Sequence, residues 1–184
     1  MKDRLIGFIK TYCLFVCIFV LQKPLFMLFY KSLYPDASCA DWFSVIWHGL
    51  PLDLSLAGYL TAIPGFLFIT SVWTLSKSLH RIWCGYFLFI SVLISIIFTI
   101  DLGLYEYWGF RLATPLFYFF SSPKDAVASV SIWMVLGGIV AMAVYAVVLY
   151  AVFYGILLQK KLLLRMKLPY RRLKVSGILL LMTE

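Results

Sequence analysis

The sequence predicts an all-α polytopic transmembrane helical bundle, with four full spans, a truncated fifth and an aromatic interfacial segment on the outer side. Three observations predict it. Hydrophobic residues make up 64% of the chain and charged residues 13%; with a mean hydropathy of +0.97, this is too apolar for a soluble domain. The apolar residues fall in runs long enough to cross a hydrocarbon core of roughly 30 Å, which needs about 20 helical residues. Lys and Arg gather in alternate connections between those runs.

The first span covers about 5–30, interrupted in its second half by Gln22, Lys23 and Pro24, where the proline removes a backbone donor. The second covers about 52–75 and the third 82–101, with Asp53 opening the one and Asp101 closing the other at the outer ends. The fourth covers 123–158. Ser122-Pro123 sets a capping side chain before a proline at the first helical position, and Asp125 follows Ser122 at capping-box spacing. A helix of that length stands beyond the outer bilayer surface at 1.5 Å per residue. Gly137 and Ala141, a small-xxx-small pair, offer a neighbouring helix a close approach. The fifth run, 175–182, is too short to cross. The chain therefore reads as one transmembrane domain over 1–184.

Charge sets the orientation. Lys2, Arg4 and Lys10, then Lys77 and Arg81, then Lys160, Lys161, Arg165, Lys167, Arg171, Arg172 and Lys174 share one side if the amino terminus is cytoplasmic. The expected location is a bacterial inner membrane, multi-pass, with the first segment retained as an anchor rather than cleaved as a signal peptide. The same distribution accounts for the net charge of +8. The expected partners are the bilayer and anionic lipid headgroups at the basic inner loops, and no nucleic acid.

Cysteine and histidine carry little chemistry at this level. Cys13 and Cys17 lie four apart without His or carboxylate neighbours and read as small apolar fillers. Cys39 is alone in the outer loop and Cys84 lies near the inner end of the third span. His48 and His80 fall on opposite sides of the membrane, His80 beside Arg81 as a topogenic flank and His48 near Trp42 and Trp47. No phosphate loop, metal pair or activated nucleophile is present in the sequence. No cofactor is expected for the chain and no enzymatic activity for it as it stands.

The polar residues at membrane depth are the candidate site, because ionisable groups there are costly. Lys23, Asp53 and Asp101 are joined by Glu106, Trp108 and Arg111 from an aromatic stretch that also holds Tyr105, Tyr107, Phe110 and the run Phe117–Phe120. Rings of this kind gather at the headgroup level. One reading is an outer-leaflet polar cluster, with Lys23 against Asp53 or Asp101, that receives a lipid headgroup or docks an outer domain. The other is that each charge snorkels separately to the interface.

Two stretches suggest a family. Gly49-Leu50-Pro51-Leu52-Asp53-Leu54-Ser55 and Tyr105-Glu106-Tyr107-Trp108-Gly109-Phe110-Arg111-Leu112 are followed by Thr114-Pro115-Leu116 and Pro123-Lys124-Asp125-Ala126. Together they resemble the membrane region of lipoteichoic-acid-synthase-like proteins, in the sulfatase and alkaline-phosphatase superfamily, with likeness to forms from Bacteroides-type bacteria. The resemblance implies a membrane part of about five helices followed by a large domain outside the membrane. That domain would use a divalent metal and a Thr or Ser nucleophile to transfer or hydrolyse phosphoglycerol, phosphoethanolamine or sulfate groups. It also implies a phospholipid substrate for the intact protein. Those catalytic residues have no counterpart here, so the expectation is a non-catalytic anchoring region and a truncated fragment. Two other classes compete with it. One is a small membrane partner or scaffold binding another membrane enzyme through the aromatic outer loop; the other is a small carrier or channel, which the apolar midplane residues disfavour.

Overall fold

A computed structural model describes residues 2–33, 38–70, 77–108 and 132–157. They form α1 (Lys2–Phe29), a 3-10 turn (Lys31–Leu33), α2 (Cys39–Thr70), α3 (Lys77–Trp108) and α4 (Ile132–Ile156). Each α-helix contains a stretch long and apolar enough to cross a membrane: Leu5–Phe29, Cys39–Thr70, His80–Gly103 and Val135–Ile156. The chain is an all-α, multi-pass membrane protein. The expected start of the fourth helix at Pro123, the aromatic stretch beyond Trp108 and the fifth run at 175–182 lie outside the described residues.

α2 and α3 are longer than the apolar runs read for them, because a run marks the hydrocarbon crossing while the helix continues through the headgroups. α2 shows the physical reason at its start. Ser38 and Asp41 form a reciprocal cap: Ser38 N and Oγ donate to Asp41 Oδ2 (2.9 and 2.8 Å), and Asp41 N donates back to Ser38 Oγ at 3.4 Å. This cap starts the helix at Cys39, and it runs on through Pro51. Asp53 therefore lies well inside α2 rather than opening it. At 48 Å for 32 residues, α2 exceeds a bilayer core by about 18 Å. In the same way α3 continues past Asp101, so Tyr105, Glu106, Tyr107 and Trp108 belong to its last turns.

The helices group into two compact units. The first holds α1, α2, the start of α3 up to Cys84 and the end of α4 from Tyr154. Here α1 packs against α2 as an antiparallel hairpin, in which Phe8 meets Gly65 and Lys23 meets Gly49. α1 buries Thr11, Phe15, Ile18, Phe19 and Phe26, with Tyr30 buried just past its end; α2 buries Asp53, Ala57, Thr61, Pro64 and Phe68. Gly49, Asp53, Ala57, Thr61 and Gly65 recur every fourth residue, so they stack along one face of α2. Small residues there let the aromatic stripe of α1 approach closely. The buried hydroxyls are satisfied within their own helices: Thr11 Oγ1 donates to the Gly7 carbonyl (2.9 Å) and Thr61 Oγ1 to the Ala57 carbonyl (2.6 Å). At the other end of α2, Phe68 meets Trp83 of α3 edge-to-face at 4.5 Å.

The second unit spans Gly85–Phe153. Within it α3 and α4 run antiparallel, with Phe87 on Phe153 (ring centroids 5.0 Å) and Phe98 on Tyr145 (5.2 Å). The buried Ser95 also donates across the helix pair to the Met142 carbonyl at 2.6 Å. Ser91 instead returns its proton to Phe87 in its own helix (2.7 Å). Ser95→Ala is therefore expected to destabilise the pair by about 0.6 kcal/mol, and by no more than ~1.7. Ser91→Ala should be near neutral, and reversible unfolding in mixed micelles distinguishes the two. The close approach expected at Gly137 is absent: a Cβ there meets nothing within 4 Å among the described residues.

Candidate functional site

Of the six polar residues expected to cluster, Lys23 and Asp53 come together within the first unit. Lys23 Nζ donates to Asp53 Oδ2 across the α1–α2 hairpin. The side chains are 13% and 10% exposed, so the pair is shielded from solvent and counter-ions. Asp101 is buried within α3, in the second unit. Glu106 and Trp108 lie in the last turns of α3, and Arg111 lies outside the described residues.

The ion pair is built from the backbone outward. Lys23 sits in the last third of α1, just before Pro24. Its chain crosses α2 directly over Gly49, one turn before Asp53. A Cβ placed on Gly49 would fall on Lys23 Cε and lie 2.8 Å from Nζ. Glycine thus leaves the channel through which the lysine reaches the carboxylate. Gly49→Ala is expected to displace the ammonium and to destabilise by about 1–3 kcal/mol through overpacking. The penalty should largely vanish when the same substitution is made in a Lys23→Ala chain, measured as a double-mutant cycle.

Depth follows from both helices independently. From Leu5 to Lys23 the rise is about 27 Å, and from Asp53 to Thr70 about 25 Å. Both partners therefore sit near the same boundary of a ~30 Å core, on the side of the hairpin that carries the α1–α2 connection. Beyond them, the first turns of α2 extend toward the headgroups. Phe43 and Trp47 stack there at 6.2 Å and are exposed, as an aromatic belt requires. His48 is exposed on these turns and its Nδ1 lies 2.8 Å from the Ser44 carbonyl.

Sequence reasoning missed three features that spacings of three or four residues carry: the Ser38–Asp41 cap, the small-residue face of α2, and the pairing of His80 with Cys84 in α3. Among the described residues no three His, Cys, Asp or Glu side chains come together as a metal-ligand set.

Compared with known protein families, with curated proteins and with solved structures, the chain matches none.

Proposed function

We propose that this chain is the membrane-anchoring region of a lipoteichoic-acid-synthase-like phosphoglycerol or phosphoethanolamine transferase, or sulfatase, of a bacterial inner membrane. Its amino terminus faces the cytoplasm, and the chemistry belongs to a metal-dependent domain outside the membrane and outside these residues. The region itself catalyses nothing. It holds the enzyme at the bilayer where a phospholipid substrate is met.

One observation carries the reading. The stretch Gly49–Ser55, on which the family resemblance rests, is the same stretch that builds the hairpin's polar node, with Gly49 making room for Lys23 and Asp53 receiving it. A motif that closes a membrane hairpin is what an anchoring region needs. The charge distribution supports the orientation, since the basic residues around α1 and at the start of α3 fall on one side of a four-span chain.

The test is to read the coding sequence downstream of codon 184 and to identify the cellular product by mass spectrometry. The expected result is a frame that continues into a domain with a Thr or Ser nucleophile and metal ligands. A stable 21.2 kDa product that copurifies at fixed ratio with another membrane enzyme would overturn it in favour of a scaffold role.

A further inference from the structure

A second juxtaposition of chemically capable side chains lies away from the hairpin's ion pair. His80 and Cys84 are one helical turn apart at the start of α3, and His80 Nε2 is 3.6 Å from Cys84 Sγ. The other ring nitrogen, Nδ1, is buried and without a hydrogen-bond partner among the described residues. The imidazole's polar contact is therefore with the thiol.

We propose that His80 and Cys84 form a two-ligand chelate for a tetrahedral divalent cation of the zinc type, with water in the remaining positions. The donor separation fits this class. Bonds of about 2.3 Å to sulfur and 2.0–2.1 Å to nitrogen, at a near-tetrahedral angle, place the two donor atoms about 3.6 Å apart. A linear two-coordinate ion would need a separation of about 4.3 Å, the sum of the same bond lengths. The donor set, one thiolate and one imidazole, is the set that zinc takes in preference to hard cations.

The chelate is preformed by its position. The i, i+4 spacing fixes the two side chains on one face. Trp83, on the same turn and 3% exposed, is packed edge-to-face on Phe68, which holds this end of α3 against α2. Cys13 and Cys17 share the spacing but are both exposed and have no imidazole beside them. Binding replaces the thiol proton: the metal–sulfur bond forms as the S–H bond breaks, and the proton passes to water while the imidazole binds neutral. Arg81, next to His80 in sequence and exposed, opposes the incoming cation, and the thiolate formed offsets one unit of its charge. This site is independent of the family reading.

The experiment uses the full chain in detergent micelles with Cys13, Cys17 and Cys39 changed to Ala, so that Cys84 is the sole thiol. Titration with Co2+ should produce a thiolate-to-cobalt charge-transfer band and tetrahedral d–d bands, both removed by added Zn2+. Cys84→Ser should abolish the charge-transfer band, and His80→Gln should weaken binding by ~10-fold or more, having lost one of two ligands. A measurement that needs no altered ligand accompanies it: Zn2+ should protect Cys84 from maleimide alkylation. Absence of the charge-transfer band, unchanged binding in His80→Gln, or alkylation indifferent to Zn2+ would each overturn the proposal.

Discussion

Lys23→Met is expected to destabilise the α1–α2 hairpin by about 3–5 kcal/mol, the range for removing one partner of a buried ion pair. The magnitude comes from what is left behind. Without the ammonium, the Asp53 carboxylate stays on the buried face of α2 between Gly49 and Ala57, where its only salt-bridge partner among the described residues was Lys23. Replacing both partners removes the stranded charge, so Lys23→Met with Asp53→Leu should recover most of the loss. Because both side chains are shielded, the penalty of the single substitution should change little with added salt. If the charges instead snorkelled separately to the headgroups, Lys23→Met would cost under about 1 kcal/mol and salt would shift it. Unfolding of the four chains in mixed micelles, at two salt concentrations, separates these outcomes.

Phe153→Ala carries the second-largest expected effect, on the α3–α4 pair. Phe153 and Phe87 are both fully buried and their rings meet at 5.0 Å. In water such a truncation costs about 3–5 kcal/mol, part of it transfer. In a bilayer the transfer part falls away, since lipid tails are as apolar as the protein interior. What remains is the cavity, about 24 cal/mol per Å3 over roughly 100 Å3 of lost ring, or about 2–3 kcal/mol. Phe89, which is 63% exposed, meets lipid in both states, so Phe89→Ala should be near neutral. The same unfolding assay, run on both variants, checks the contrast; equal losses would mean that α3 and α4 do not pair through this face.

How much of this was legible in the sequence depends on the kind of interaction. The four spans were legible, because the cost of putting polar backbone and side chains into hydrocarbon forces long apolar runs. Lys23 stood out for the same reason, though the sequence left it between Asp53 and Asp101, and the hairpin pairs it with Asp53. Helix starts were harder. The second apolar run begins at about Leu52, whereas the Ser38–Asp41 cap begins α2 at Cys39 and helical backbone tolerates Pro51. Neighbour choice was the least legible. α4 is apolar on every side, so periodicity marks no packing face, and the small pair Gly137–Ala141 looked no different from Ala57 and Gly65, which do face α1. The acceptor of Ser95 is a backbone carbonyl, which every residue carries, so no side-chain pattern could have named Met142.

The account rests most of all on α2 crossing the bilayer, since that crossing places the Lys23–Asp53 pair at depth and makes the chain multi-pass. Cys39 begins α2, and Lys77 opens α3 beyond its other end. The decisive measurement labels two single-cysteine chains with a membrane-impermeant maleimide, one retaining Cys39 alone and one carrying Lys77→Cys alone. Labelling of Cys39 in intact cells, and of position 77 only after permeabilisation, is the predicted result. Labelling of both positions from the same side would contradict it, because α2 would not then span the membrane.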